Sequence, residues 1–380
     1  MKKVYFDNAA TTPLDEAVFE EMKPYMLEYY GNPSSIHWHG RQVRSAIEKS
    51  RKKVADLLNT SPSEIFFTSG GTEADNTAIR CTIEDYGVKN IITTPLEHHA
   101  VLHTVEMLAK KGNVNLHLLD VDEKGQISLD QIEQLLKKDP NTLITLMHAN
   151  NEIGTMNDIH AIAEMSKAYG SVFHTDTVQS MAHFRHDLQQ LKANFVVGSA
   201  HKFHGPKGVG FLYVNHEKRI QPFIHGGAQE RNMRGGTENV YGIIGLAKAL
   251  ELAYAHMDDH KKQIESVKSY MIEQLKLHIE GVSFNGTSDD LENSLYTVLS
   301  VSLPPSEDND MLLFNLDING ISASGGSACS SGSNIGSHVL TAIGSDPQRG
   351  AIRFSFSRFN TKADVDYVIG KLNEILTVSA

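Results

Sequence analysis

Residues 195–214 read FVVGSAHKFHGPKGVGFLYV, a segment in which two apolar runs enclose a short polar loop. The runs 195–199 and 209–214 have the length and the β-branched and aromatic content of buried strands. Lys202 follows the first run directly, among histidines and glycines. Burial and nearby cations lower the pKa of a lysine, so this segment predicts a nucleophilic lysine as readily as an ordinary solvated one.

Similar apolar runs occur toward the N-terminus, with helix-like stretches between several of them. The strand-like runs are 64–68, 90–94, 143–147 and 171–175, and the amphipathic stretches include 72–86 and 157–169. This alternation predicts an α/β domain with a mostly parallel sheet. Ligands of such domains bind at the carboxyl ends of the strands, where we expect the functional residues.

The pattern changes beyond about residue 240. A long helical stretch over 238–279 leads into strand-like runs at 296–302 and 351–356, and a final helix follows near 361–376. These elements predict a second, smaller α+β domain. We expect a large domain over 15–255, with 1–14 and 256–380 forming the small one.

Composition narrows the classes of function. The 380 residues carry a formal net charge of −11, which disfavours a general binder of nucleic acids or anionic membranes. No apolar run approaches the length of a membrane span. The chain has only two cysteines, Cys81 and Cys329, and its first residues lack an apolar signal core. We therefore expect a cytoplasmic protein.

Two strand ends carry residues suited to an anionic and aromatic ligand. The sequence SGGTEADN over 69–76 follows a strand and opens a helix, so its glycines and free N–H groups suit a phosphate. A plain capped turn explains this stretch equally well. Asp176 ends another strand, where a carboxylate can keep a ring nitrogen protonated or simply cap a helix, and Gln179 lies one turn further.

A histidine-rich stretch, EHHAVLH over 97–103, offers two kinds of site. His99 and His103 have the spacing of helical metal ligands, but no third ligand at a diagnostic spacing follows, so we predict no metal site. A histidine that stacks on a flat cofactor or moves a proton is the better functional interpretation.

Cys329 and Arg353 are the remaining candidates. Cys329 lies in the Ser/Gly-rich run SGGSACSSGS over 324–333, which predicts a mobile loop and makes a reactive thiol plausible. Cys81 lies in a helix-like stretch and is expected to be structural. Arg353, within an alternating strand, could bind a carboxylate with two hydrogen bonds or form a surface ion pair.

The order of these motifs resembles the class V aminotransferase superfamily, and specifically the first group of the NifS/IscS-like cysteine desulfurases. The resemblance runs from Tyr5 to Phe359. The matching motifs are YFDNAATT at 5–12, NPSS at 32–35, HANNEIG at 148–154, HK at 201–202 with GPKG at 205–208, RGGT at 234–237 and SAC at 327–329.

This resemblance implies the fold, the cofactor and a role for each candidate. The fold is the type I fold of enzymes that use pyridoxal 5′-phosphate (PLP), with a mostly parallel seven-stranded sheet in the large domain. Lys202 holds the cofactor, His98 stacks on its ring and Cys329 receives the sulfur. Asp176 pairs with the ring nitrogen and Gln179 contacts the ring hydroxyl. The phosphate is assigned to Gly71, Thr72, Ser199 and His201, with Thr237 from a partner subunit, and the substrate carboxylate to Asn151 and Arg353.

The implied reaction removes sulfur from L-cysteine and leaves alanine. The partners are a second copy of the chain and a sulfur acceptor, either a scaffold for iron–sulfur clusters or a tRNA-thiolation relay. Three alternatives stay open at this point: an aminotransferase or another lyase of the same fold, activity on selenocysteine, and a binding protein without catalysis.

Overall fold

A computed structural model describes residues 2–306, 309–325 and 336–378. The strands are β1 Val4–Tyr5, β2 Ile65–Thr68, β3 Asn90–Thr93, β4 Asn115–Leu118, β5 Thr142–Thr145, β6 Val172–Asp176, β7 Phe195–Ser199, β8 Gly210–Val214, β9 Ser283–Phe284, β10 Val298–Pro305, β11 Ile321–Ser322 and β12 Arg349–Ser355. The helices are α1 Glu16–Leu27, α2 Trp38–Leu57, α3 Gly71–Tyr86, α4 His99–Lys110, α5 Leu129–Lys138, α6 Ile159–Tyr169, α7 Leu188–Leu191, α8 Val240–Ala255, α9 Met257–His278, α10 Leu312–Ile318, α11 His338–Ala342 and α12 Lys362–Val378.

A seven-stranded sheet forms the centre of the larger part, in the order β2-β8-β7-β6-β5-β3-β4. Only β8 runs antiparallel to its neighbours, so the expected mostly parallel α/β sheet is confirmed. The carboxyl ends of the six parallel strands therefore meet at one edge, which is where such folds bind their ligands.

Successive side chains of these strands point to opposite faces, and both faces are buried. On β7, Val196 packs into a core with helices α1, α2 and α8. Its neighbours Phe195 and Val197 pack into a second core with α3 and α4. Burial on both sides explains why the strands are continuous apolar runs and do not alternate with polar residues.

The smaller part has its own core around the three-stranded antiparallel sheet β12-β10-β9, covered by α9 and α12. The N-terminal strand β1 pairs with β11, and Phe6 packs edge-on against Phe354 and Phe356. The first residues thus contact this core before the chain enters α1. The division into domains at 14/15 and 255/256 stays a prediction.

Two elements differ from the sequence expectations. The long helical stretch over 238–279 is two helices, because the chain leaves the helical conformation at His256. Strand β4 was not expected from the sequence. It is an edge strand whose four residues are all exposed or half-buried, so it lacks the apolar run that marks the inner strands. Across the described residues, no helix has the length and apolar content needed to span a bilayer.

Candidate active site

A cavity of about 300 Å³ opens at the carboxyl edge of the central sheet, and we call it the main cavity because it contains the predicted cofactor lysine, Lys202. Most of the predicted site residues lie in its wall. These are Gly71, Thr72, His98, Asn151, Asp176, Gln179, Ser199, His201, Lys202 and Arg353. They come from segments far apart in sequence, which the parallel strands bring to one edge.

Lys202 ends a short 3₁₀ turn, Ala200–Lys202, that directly follows β7. Its Nζ donates hydrogen bonds to the backbone oxygens of Ala9 at 2.6 Å and Ala10 at 3.0 Å. The side chain of Gln179 donates to the same Ala9 oxygen at 3.0 Å. The N-terminal segment therefore holds the lysine in the cavity wall.

Asp176 is the last residue of β6 and is almost fully buried. One of its carboxylate oxygens accepts a hydrogen bond from the backbone N–H of Val178 at 2.8 Å. Burial raises the pKa of Asp176 to about 6, against the opposing effects of that N–H and of the charge on Lys202. A cation placed beside this carboxylate would favour its ionised form.

The start of α3 forms the opposite end of the cavity. Gly71 is the first helical residue, and the first N–H groups of a helix have no partner within it. A Cβ atom at Gly71 would lie 2.8 Å from the side chain of Val178, so the backbone closely approaches the turn that follows β6. Thr72, Ser199 and His201 line the same cavity, and with the helix start they suit an anion with several acceptor oxygens.

His98 caps the N-terminus of α4. Its Nδ1 accepts a hydrogen bond from the backbone N–H of Ala100 at 3.1 Å, which leaves the proton of the neutral ring on Nε2. Burial, and then the charge on Lys202, lower the pKa of His98 to about 4. The ring is therefore neutral at physiological pH and offers an uncharged flat face to the cavity.

Arg353 is one of the two predicted ligands of the substrate carboxylate. It is almost fully buried, with only 2% of its surface exposed. Its guanidinium donates to the backbone oxygen of Asn151 at 3.0 Å and to the carboxylate of Asp7 at 2.8 Å. Its Nε has no hydrogen-bond partner although it is buried. A buried donor of this kind is costly unless a ligand satisfies it.

Among the described residues, one predicted site residue, Thr237, is not part of this wall. Thr237 is exposed on a loop that Arg234 ties to Glu73 of α3 through an ion pair of 2.9 Å. Cys329 lies outside the described residues. The described residues on either side of its segment contact the site: Ser324 pairs with Arg353 through the backbone, and His338 lines the main cavity.

Comparisons with known proteins identify the family of this chain. The sequence model of the aminotransferase class-V family matches residues 4–368. The chain belongs to the class V aminotransferase family. It is 43% identical over 379 residues to a protein named cysteine desulfurase IscS from Dictyoglomus turgidum, covering 99% of this chain and 95% of the relative.

The chain is also similar to another cysteine desulfurase and to solved structures. A cysteine desulfurase IscS from Methanosarcina thermophila is 44% identical, with 99% of this chain and 92% of the relative covered. A solved NifS-like protein superposes with a TM-score of 0.91 at 39% identity, covering 99% of this chain and all of that chain. Another, described as SspA in complex with cysteine, has a TM-score of 0.81 at 33% identity, with coverage of 94% and 99%.

Class V aminotransferases are PLP-dependent enzymes, and the residues of the main cavity fit that cofactor. The helix start and hydroxyls suit its phosphate, and Asp176 suits its ring nitrogen. Lys202 suits its carbonyl carbon, and the buried Nε of Arg353 leaves a donor for a substrate anion. The four groups meet in one cavity, as a cofactor that carries a bound amino acid requires.

Several residues of the wall were not found from the sequence. Asp75 is buried, with one oxygen lacking a hydrogen-bond partner and lying 3.3 Å from Nε2 of His174. Burial, and then the charges of Asp176 and Glu97, raise the pKa of Asp75. His338 hydrogen-bonds His99 at 3.2 Å and the backbone oxygen of Glu97 at 3.0 Å. Asp75 lies within the predicted phosphate motif, but nothing in that motif predicts that its side chain is buried beside His174.

Proposed function

We propose that this protein is a PLP-dependent cysteine desulfurase, which moves the sulfur of L-cysteine to Cys329 and releases L-alanine. One observation carries the proposal. Lys202, Asp176, the start of α3 and Arg353 line the same cavity. The segment that contains Cys329 lies between Ser324, which pairs with Arg353, and His338, which lines that cavity. The names of the relatives support the same activity.

The first task of the site is to bind and orient the substrate. Arg353 and Asn151 receive the carboxylate of L-cysteine, since the guanidinium is buried with an unused donor. Lys202 lies within reach of the amine because its Nζ projects into the same cavity. With the carboxylate and amine fixed, the orientation of the third substituent, which carries the sulfur, is also fixed.

Proton movement at Cα is assigned to Lys202. When bound, PLP supplies an electron sink that makes the Cα proton acidic. Lys202 would hold the cofactor through its Nζ, and with cofactor and substrate bound the same Nζ would accept the Cα proton. Asp176 would keep the ring nitrogen of the cofactor protonated, and the neutral ring of His98 would contact the cofactor ring.

Sulfur transfer is assigned to Cys329. Its thiolate attacks the sulfur of the substrate: a sulfur–sulfur bond forms, the bond between Cβ and sulfur breaks, and the electron pair of the broken bond passes to Cβ. Cβ then takes up the proton that the Cys329 thiol had lost, and Lys202 returns the proton to Cα. The products are alanine and a persulfide on Cys329, so all atoms balance without an external oxidant. Cys329 is the fourth residue after Gly325, so the chain between their Cα atoms spans at most roughly 14 Å.

The test measures alanine and sulfide formed from L-cysteine in the presence of a thiol reductant. The wild-type holoenzyme is expected to make both in equal amounts, and Cys329→Ser to make neither while it still binds PLP. Cys81→Ser is the matched control, because Cys81 is buried in α3 and burial raises the pKa of its thiol to about 12. A holoenzyme that makes no alanine, or a Cys329→Ser variant with full turnover, would redirect the assignment to an aminotransferase or another lyase.

We propose two protein partners. The first is a second copy of the chain, supported by exposed apolar residues at the start of α2: Ile36 is 87% exposed, Trp38 is 59% exposed, and Trp38 packs on His39. Exposed apolar clusters of this kind mark interfaces. The second is a cytoplasmic sulfur acceptor, either an iron–sulfur scaffold or a thiolation relay, which must take the sulfur from the persulfide.

A further inference from the structure

Asp7 does not line the main cavity, yet it contacts the arginine that does. Its Oδ1 accepts a hydrogen bond from Nη2 of Arg353 at 2.8 Å, and the hydroxyl of Ser324 donates to the same oxygen at 2.8 Å. The backbone of Arg353 pairs with that of Ser324 as an isolated bridge. Asp7 is therefore the only carboxylate that pairs with Arg353 among the described residues.

The contacts of Arg353 determine how its guanidinium is oriented. The group is planar and has five N–H donors in a fixed arrangement. The carboxylate of Asp7 accepts a hydrogen bond from Nη2 and the backbone oxygen of Asn151 accepts one from Nη1. Both terminal nitrogens of the guanidinium are therefore held. Nε is left buried and unpaired. Two fixed contacts at different nitrogens define the plane in which the remaining donors point.

The backbone around Asp7 also contacts the other end of the substrate site. Two and three residues further on, the oxygens of Ala9 and Ala10 accept the hydrogen bonds of Lys202. The group assigned to the substrate carboxylate and the group assigned to its amine are thus both held by one short segment, 7–10. A displacement of Asp7 would change the geometry of carboxylate binding through its contact with Arg353.

We propose that Asp7 is a positioning residue that selects for substrates with an α-carboxylate, by holding the Arg353 guanidinium in the plane that receives it. The inference rests on the proposed function, because it takes Arg353 as the ligand of the substrate carboxylate. Asp7 itself contacts no substrate in this account and acts through Arg353 alone.

The test compares two ligands of the holoenzyme that differ only in this group. L-Alanine carries a carboxylate and L-alaninamide carries a neutral amide, and the binding of each is followed by the change in cofactor absorbance. Wild type is expected to bind L-alanine more tightly than L-alaninamide. In Asp7→Ala the ratio of these two affinities is expected to fall by about ten-fold or more. The affinity for L-alaninamide is expected to stay within about two-fold of wild type.

Two further variants sharpen the result. Asp15→Ala is the matched control, because Asp15 forms a similar ion pair with Arg358, and it is expected to keep the wild-type preference. Asp7→Asn keeps an acceptor for Nη2 and Ser324, so it is expected to fold even where Asp7→Ala does not, and to lose only part of the preference.

The outcomes separate this inference from the proposed function. A wild type without preference for L-alanine would overturn both the inference and the role of Arg353. A wild type with the preference and Asp7 variants that retain it in full would overturn the inference alone. Equal weakening of both ligands would also overturn it, since that result indicates a general structural role.

Discussion

At the scale of single residues, the chemistry of the site depends most on burial. Asp176 was expected because it ends an apolar strand, and His98 because the family resemblance assigned it to the ring of the cofactor. Their ionisation was not predictable, since it depends on how completely the neighbouring chain excludes water. Burial raises the pKa of Asp176 and lowers that of His98.

The raised pKa of Asp176 predicts how PLP affinity depends on pH. In the free protein this pKa is about 6, and pairing with a cationic ring nitrogen would lower it. Binding therefore releases a proton, so the affinity is full above pH 6 and falls as the pH drops below it. We expect Asp176→Asn to weaken PLP binding and to lower turnover by roughly a hundred-fold.

The measurement is the dissociation constant of PLP for the apo-protein between about pH 5 and 8. The part of the pH dependence that Asp176 causes is the difference between wild type and Asp176→Asn, because the phosphate of PLP titrates equally in both. Asp187→Asn, at the half-buried N-cap of α7, is the control. Identical profiles for wild type and Asp176→Asn would contradict the role given to Asp176.

At the scale of elements, the inner strands were predictable and the edge strand was not. The strands β2, β3, β5, β6, β7 and β8 are apolar runs because both faces of the sheet are covered, and the sequence predicted each of them within about two residues. Strand β4 has only one neighbour and leaves its side chains partly in solvent. The pattern of its residues therefore resembles a loop.

The contact between β8 and the loop before α3 predicts an effect on cofactor binding. A Cβ atom at Gly210 would lie 2.6 Å from the backbone oxygen of Gly198 and 2.9 Å from backbone atoms of Gly70. Backbone atoms cannot rotate away, so Gly210→Ala must displace the turn that leads into α3. We expect PLP to bind about ten-fold more weakly or worse.

This prediction is checked by the dissociation constant of PLP together with the melting temperature of the apo-protein. Gly370→Ala in α12 is the matched control, because a Cβ atom there meets nothing within 4 Å. It is expected to leave PLP affinity unchanged and to stabilise the helix slightly. Unchanged PLP affinity in Gly210→Ala would show that the turn is not held by β8.

Helix α9 contains a buried lysine that predicts a stability effect. Lys268 is fully buried and donates to the hydroxyl of Ser294 at 3.1 Å and the backbone oxygen of Leu295 at 3.3 Å. Burial lowers its pKa to about 7 from an ordinary value of 10.5. Between these two values the unfolded chain binds more protons than the folded one, so stability rises with pH across that window.

We expect Lys268→Met to raise the melting temperature at pH 7 by roughly 3–6 °C. The advantage of the variant should shrink toward pH 10. Lys261→Met, an exposed position on the same helix, serves as the control. If the difference between Lys268→Met and wild type did not change with pH, Lys268 would have an ordinary pKa in the folded state.

At the scale of the whole molecule, the order of the motifs predicted which distant segments form the site. It did not predict the residues that support the site from outside the motifs. The order of the motifs by itself indicated the family, because one cofactor requires residues that are spread along the sequence from Gly71 to Arg353. Asp7 and His338 escaped sequence analysis, since nothing local signals their contacts with Arg353 and with Glu97.

The proposed homodimer predicts the mass of the protein in solution. Light scattering of the holoenzyme is expected to give twice the chain mass of 42.0 kDa. Trp38→Glu places a charge in the exposed apolar cluster at the start of α2 and is expected to weaken association. Phe314→Glu, at an exposed apolar residue of α10, is the control. A wild type of 42.0 kDa would contradict the dimer and the role proposed for Thr237.

The central claim is that Cys329 receives the sulfur of L-cysteine, and peptide mass spectrometry tests it most directly. The holoenzyme is mixed with L-cysteine without reductant, free thiols and persulfides are trapped by alkylation, and the peptides are analysed after digestion. The account predicts that the peptide with Cys329 gains one sulfur atom, in step with the alanine released, and that the peptide with Cys81 gains none. Alanine release with no added sulfur on Cys329 would contradict it.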